Sequence, residues 1–284
     1  SRLRDEGVYL AHDEWKGKIP IVRCGKEIPS DPKSFTNPLV TGWLQGTSSG
    51  SRGRPVTTSR STAAEIHMQL YHMLRTREFE LKDRAWIQVR PILPSSAGIK
   101  SSVRGRKLGA PVDRWFSVGS TLADYWHYRA ATQAFVIMGN LMGARAPRPI
   151  YLPPNDFSPV AAHIARRRRE GKASVVNGIA STLVRVASAA LDNGYDISGT
   201  LFLCGGEALT SGKLQLFRSA GAEASVSYSI SEIGHVGLAC RQITGNCVHL
   251  LEDSIAAITC RRPAPYSDDV EVDSLHFTTL LPYA

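Results

Sequence analysis

From Val40 onward the chain alternates between two hydrophobic rhythms. In STAAEIHMQLYHMLRTREF, Ile66, Leu70, Met73 and Leu74 recur at intervals of three and four, the spacing of one helix face, with Ser61 or Thr62 in place as a cap. The Met and Tyr residues of that stretch are expected to pack rather than bind. RAWIQVRPIL (84–93) alternates or runs apolar and predicts a strand. SSAGIKSSVRGRKLGAP reads as a polar connector, and DYWHYRAATQAFVIMGNLMG (124–143) as a helix with an apolar stripe. PRPIYLPPND reads as a loop in which proline prevents regular pairing, and FSPVAAHIARRRRE as a second helix. ASVVNGIASTLVRVASAALDNG predicts a short strand, a turn at Asn177-Gly178 and a helix ending at Asn193-Gly194. TLFLCGGEALTSGKLQLFRSAG predicts strand, turn and helix, and ASVSYSISEIGHVGLAC strand, loop and a short helix or strand.

Repeated strand–turn–helix units predict an α/β fold, with parallel-rich sheets flanked by helices, over residues 41–240. After Cys240 the short segments CVHLLED, SIAAITC, DVEVD and LHFTTLLP predict an antiparallel strand region, 241–284, of the same large domain. Residues 1–40, punctuated by Pro20, Pro29, Pro32 and Pro38, read as an irregular arm. The chain stops at LLPYA without a helix or capping turn, which suggests that a further element follows.

Composition narrows the function classes. No run of 18 apolar residues occurs and the N-terminus has no apolar signal core, so a cytoplasmic protein without a membrane partner is expected. The net charge of +9 lacks the basic–aromatic alternation of a nucleic-acid binder, but favours a polyanion such as ATP. The densest basic run, Arg166–Arg169, falls in the last turn of a predicted helix, where positive charge is favoured. It reads as a solvated helix end, or else as a docking surface for an acidic partner or polyphosphate. A homodimer is compatible with all of this.

The candidate chemistry begins at GTSSGSRGRP. Thr47, Ser48, Ser49 and Ser51 offer hydroxyls to phosphate oxygens, and Gly46, Gly50 and Gly53 allow tight turns with exposed amides. Arg52 or Arg54 can add charge-assisted bonds to a leaving pyrophosphate. The alternative is a flexible Ser/Gly loop. It is not a Walker A loop, because the terminal Lys-Ser/Thr pair is missing.

Three motifs stand in order: TSSGSRGRP (47–55), GGEALT (205–210) and YSISEIG (228–234), followed by HLLED (249–253). Together they resemble the core motifs of adenylate-forming enzymes, most closely the phenylacetate–CoA ligase branch. The loop departs from the family's T-S-G-T-T-G-x-P, and Ser229 stands where the family has Gly. The family's ribose-binding Asp, hinge and small mobile C-terminal domain have no counterpart, so the resemblance covers the large N-terminal domain alone.

The resemblance implies roles for particular residues. Thr47, Ser48, Ser49 and Arg52 would act on the phosphates, with Gly50, Ser51 and Gly53 shaping the loop. Gly205 and Gly206 would let adenine lie against backbone, with Glu207 at the pocket edge; plainly read, Glu207 is a carboxylate near the start of the next helix. Tyr228 would stack on adenine, or else is a half-buried strand aromatic. Ser229 would line the nucleotide site, Ser231 would reach the α-phosphate and Glu232 would help hold Mg²⁺. Phe135, Met138, Trp126 and Ile179 are apolar candidates for an acyl pocket, though each taken singly reads as core before it reads as ligand wall. Cys240, Cys247, His249 and Cys260 are separated by six, one and ten residues, which is not a zinc-finger spacing. Some relatives carry a structural zinc in this region, and Cys240 and His249 match that pattern in place; buried thiols are the alternative.

The implied function is ATP-dependent activation of a small carboxylic acid as its acyl-adenylate, followed by thioester formation with coenzyme A. Transfer to a carrier-protein thiol or an amine, and a degenerate nucleotide-binding scaffold, remain open.

Overall fold

The computed structural model describes residues 2, 6–15, 17–29, 44–47, 57–60, 62–119, 125–230, 233–243, 245–264 and 267–281. The chain divides into two compact units, Ser1–Ile66 with Leu281–Ala284, and His67–Leu280.

In the first unit, helix α1 (His12–Trp15) precedes a hairpin of β1 (Ile21–Arg23) and β2 (Lys26–Ile28). Cys24 and Gly25 turn the hairpin with φ of 49° and 75°, the two positive angles that a two-residue turn matching strand twist requires. The segment read as an irregular arm thus holds short regular pieces. β3 (Leu44–Thr47) pairs antiparallel with β4 (Thr57–Arg60).

The second unit is organised by an eight-stranded sheet. Helix α2 (Thr62–Glu78) leads into β5 (Ala85–Val89), α3 (Ala97–Lys107), β6 (Val112–Val118), α4 (Trp126–Leu141), β7 (Pro149–Leu152) and α5 (Ser158–Arg169). β8 (Ser174–Ile179), α6 (Ala180–Asp192), β9 (Leu201–Gly205), α7 (Ser211–Ser219) and β10 (Glu223–Ile230) follow, then β11 (Gly234–Leu238) and β12 (His249–Leu250). The strand order is β12-β11-β10-β9-β8-β5-β6-β7, parallel from β10 to β7 and antiparallel at β10–β11–β12. β13 (Ile255–Ala264) and β14 (Ser267–Thr279) form a separate long hairpin. The α/β expectation and the antiparallel strands after Cys240 both hold.

One face of the sheet carries the larger core, in which Ile87, Val89, Phe116, Val176 and Phe202 meet Val160, Ile164, Leu183 and Phe217 from α5, α6 and α7. The opposite face carries Trp86, Val112 and Leu203 at one level and Trp115, Ile92 and Val136 at another.

Four sequence expectations fail, each for a packing reason. The supposed connector after β5 is helix α3, whose buried face is Gly98, Ser102 and Gly105. That face has helical spacing but no large apolar residue, so periodicity could not register it. A Cβ on Gly98 would lie 2.2 Å from a ring carbon of the fully buried Trp115. The proline-rich stretch supplies β7, an edge strand that Pro149 opens, where its missing N–H is tolerated. Asn177-Gly178 is not a turn but lies inside β8, with Asn177 paired to both β5 and β9 and Gly178 to β9; a Cβ on Gly178 would meet Leu183 at 2.9 Å, so the glycine admits α6. On α2 the apolar stripe is the outer one. Leu70, Met73 and Leu74 are exposed, while Met68, Tyr71, His72, Arg75 and Thr76 are buried. That inward face is held by hydrogen bonds, including Tyr71 Oη to Asp253 Oδ1 (2.7 Å) and Thr76 Oγ1 to the His72 carbonyl (2.7 Å).

The basic run does end α5, but it is tied down. Arg167 pairs with Asp113 and Glu170, Arg168 with Asp196 at 2.6 Å, and Arg166 donates to His163 Nδ1 at 2.9 Å. The last turn of α5 is therefore anchored to the start of β6. Among the described residues, no helix is long and apolar enough to cross a membrane.

Gly98→Ala is expected to lower the unfolding free energy by about 2 kcal/mol despite alanine's better helix propensity, because the Trp115 ring cannot retreat. Gly212→Ala on α7, with open space around it, is expected to be neutral or slightly stabilising. Urea denaturation of both variants checks the contrast.

Candidate functional site

The six parallel strands all end on one edge of the sheet. Between β5 and β8 the strand order reverses direction, and a crevice outside the carboxyl ends at such a point is the usual ligand position in open α/β sheets. Arg90, just beyond β5, donates there to Asn177 Oδ1 of β8.

Two strands farther along, β9 ends at Gly205 and Gly206 takes a φ of +77°, a conformation that any side chain would strain. The turn carries Glu207 back over the start of α6. Its carboxylate accepts from the Ser181 N–H (3.0 Å), the Ser181 hydroxyl (2.7 Å) and the Lys213 ammonium (2.9 Å). Glu207 thus caps α6, a helix that precedes it in the chain, while Thr210 caps α7. Asn246 Oδ1 accepts from the Leu209 N–H at 2.8 Å and pins the far side of the turn.

β10 pairs with β11 through a register shift between Tyr228 and Ser229, the kind of bulge that re-aims side chains near binding sites. Tyr228 is 44% exposed, and its ring stands edge-on to Phe277 of β14 with centroids 5.9 Å apart. Ser229 Oγ lies 2.6 Å from His235 Nδ1 on β11. Gly206, Glu207, Tyr228 and Ser229 line one cavity of about 440 Å³, with Ala208, Val226, Ser227, Asn246, Val248 and Leu275 completing its wall. Residues taken from two separate motifs therefore converge. Gly205 ends β9 immediately behind them.

The remaining candidates divide. Thr47 closes β3 in the first unit. Ser48, Ser49, Gly50, Ser51, Arg52 and Gly53 lie outside the described residues, as do Ser231 and Glu232. Trp126, Phe135 and Met138 are exposed rather than core, because α4 buries only Thr132 and Val136; Ile179 is 36% exposed. His249 Nε2 comes within 3.3 Å of Cys240 Sγ. Among the described residues, however, no three His, Cys, Asp or Glu side chains gather as metal ligands, so Cys240, Cys247, His249 and Cys260 do not form a four-ligand zinc site. Cys260 sits in the β13–β14 ladder opposite Ser274, and Cys247 is exposed in the loop before β12.

Sequence reasoning missed Ser181, Lys213, Asn246, His72 and His235. Asn246 and His235 stand close to the motifs in the chain, but Ser181 lies 26 residues from Glu207 and nothing in its surroundings marks it as a partner.

No family model and no curated protein matches the sequence. Solved structures do match in shape. An open conformation of 2-hydroxyisobutyryl-CoA ligase in complex with 2-HIB-AMP and CoA superposes with a TM-score of 0.51 at 13% identity, over 77% of this chain and 43% of that one. The same ligase in its postadenylation state with 2-HIB-AMP gives a TM-score of 0.51 at 13% identity, over 77% of this chain and 39% of that one. An anthranilate CoA ligase in complex with anthranoyl-AMP gives 0.48 at 10% identity, over 92% of this chain and 41% of that one. The fold is that of adenylate-forming enzymes. The chain spans less than half the length of those ligases.

Partial burial works to raise the Glu207 carboxyl; the hydrogen bonds from Ser181 and Lys213 outweigh it and hold the group below the usual carboxylate value. A depressed folded-state value stabilises the protein above the unfolded value and loses that stabilisation as pH falls through the folded one. Between about pH 5 and pH 3 the unfolding free energy of the unaltered protein should therefore fall more steeply than that of Glu207→Gln. Urea titrations across that range measure the difference.

Proposed function

We propose that this chain forms the nucleotide- and acid-binding part of an ATP-dependent ligase that activates a small carboxylic acid as its acyl-adenylate, with coenzyme A as the acceptor. The observation that carries this reading is the convergence of Gly206, Tyr228 and Ser229 on one cavity at the carboxyl edge of a parallel sheet. The fold adds support, since the 2-hydroxyisobutyryl-CoA ligase structures alike in fold are complexes with an adenylate, one of them also with CoA.

The chemistry follows from what the groups can do. A carboxylate oxygen attacks the α-phosphorus of ATP, and pyrophosphate leaves from the opposite side. The nucleophile is already ionised, so positioning and charge neutralisation dominate and acid–base help is minor. Tyr228 supplies a flat face for the base. Gly206 leaves backbone open beside it, and the Ser229 hydroxyl offers a donor. Glu207 has a bracing role: its oxygens are occupied by Ser181 and Lys213, so it holds the turn that carries Gly206. The phosphates would fall to the Thr47–Arg54 loop. Mg²⁺ would be held by Glu232, which lies outside the described residues.

Equilibrium titration with a non-hydrolysable ATP analogue tests the site. Tyr228→Ala should weaken binding about tenfold and Tyr228→Phe much less, because the stacking face is kept. Unchanged affinity in Tyr228→Ala would overturn the nucleotide reading. Acid-dependent pyrophosphate exchange tests the activation step separately.

A further inference from the structure

A chain of polar side chains runs from the buried side of α2 to the candidate site. Arg75 is 9% exposed, and its terminal nitrogen lies 3.2 Å from His72 Nδ1. His72, 4% exposed, brings Nε2 within 3.1 Å of His235 Nε2. His235 Nδ1 is 2.6 Å from Ser229 Oγ.

The direction of this chain follows from one fact: a guanidinium has donors and no acceptor. Arg75 therefore donates and His72 Nδ1 accepts. A neutral imidazole has a single N–H, so His72 carries it on Nε2 and donates to His235 Nε2. His235 must then carry its own on Nδ1 and donate to the Ser229 oxygen. That oxygen is used as an acceptor, and the Ser229 proton is left for something else.

Both rings have to be neutral for the chain to exist. A charged His72 would turn an N–H against the guanidinium. Burial, followed by the positive charges of Arg75 and Arg104, holds the His72 imidazole well below its ordinary value. Arg75 itself feels Arg104 of α3 and Arg90 beyond β5, and among the described residues its Nε has no hydrogen-bond partner. The buried end of the chain is thus electropositive, and the exposed end is a hydroxyl at the cavity wall.

We infer that the Ser229 hydroxyl is an oriented hydrogen-bond donor into the cavity, kept in that role by His235, His72 and Arg75, and that it selects an anionic phosphoryl oxygen of the bound nucleotide. The choice of ligand rests on the reading proposed above; the direction of the chain does not. Ser229 touches the ligand, and the two histidines and Arg75 are positioning residues.

Two measurements decide it. Long-range ¹H–¹⁵N NMR at neutral pH should find both rings neutral, His72 protonated at Nε2 and His235 at Nδ1. A proton on His72 Nδ1 or a charged ring would overturn the relay, whatever the cavity binds. Titration with α,β-methylene-ATP should show Ser229→Ala and His235→Ala each weakening binding about tenfold, the size of one hydrogen bond to a charged oxygen. The relay routes the effect of His235 through that hydroxyl, so the double variant should bind no more weakly than Ser229→Ala alone. Additive losses would overturn the coupling. If His235→Ala does not fold, His72→Gln and His72→Leu replace it. The glutamine can accept from Arg75 and donate onward, so it should keep affinity within about twofold, and the leucine should lose what Ser229→Ala loses. Equal loss in both would again sink the coupling. Absence of nucleotide binding in the unaltered protein would remove the phosphoryl ligand together with the function proposed above, and the ring tautomers would still decide the relay.

Discussion

A parallel strand can be followed by its parallel neighbour only through a crossover, and such crossovers share one hand. Strands β5 to β10 obey this constraint, and their carboxyl ends accordingly gather on one edge. The chain runs outward from β5 through β6 to β7, then returns to β8 and continues to β10. Moving in opposite directions with the same hand puts α5, α6 and α7 over one face and leaves the other to α2, α3 and α4. Both the glycine turn after β9 and the bulged end of β10 fall on the shared edge. Without that common direction, Gly206 and Tyr228 could not border one cavity.

The two faces bear different loads. The α5–α7 face is an ordinary apolar core, in which Ile164, Leu183, Phe202 and Phe217 are fully buried. The α2–α3 face is polar where it nears the carboxyl edge. Gln88 is fully buried and donates to the Gly98 carbonyl and to Ser102 Oγ; Arg90 and Arg75 are lowered to about 10 by burial and by nearby arginines, yet remain charged at neutral pH. Burying such groups is unfavourable unless hydrogen bonds compensate. Their presence beside a candidate site fits a rule seen in many folds: where a protein gives up apolar packing, it tends to be holding ligand chemistry in place.

Legibility followed the range of the physics. The strands β5 and β9 and the helices α5 to α7 were readable because their patterns are local and the cores they meet are apolar. Helix α3 was not, because its packing surface consists of Gly98, Ser102 and Gly105, whose value lies in what they leave room for. The inward face of α2 was misjudged for the opposite reason: it meets hydrogen-bonding partners such as Asp253 and His235, so the apolar residues were left outside. The site divides in the same way. Gly206 and Tyr228 could be picked out from short motifs, whereas His72 and His235, 163 residues apart, become partners only when α2 lies over β11.

The order of residues is enough to specify alternation, helical period and the glycines that a tight turn needs, since these depend on neighbours within a few positions. It therefore determines an α/β chain with a glycine turn after one strand and an aromatic at the end of the next. Which carboxylate caps which helix, which arginine is buried without a counter-charge among the described residues, and which way a serine proton points depend on groups far apart in the chain. Those were decided when the sheet and its helices packed and brought the partners within hydrogen-bond reach, because hydrogen-bond direction exists only between groups that have met.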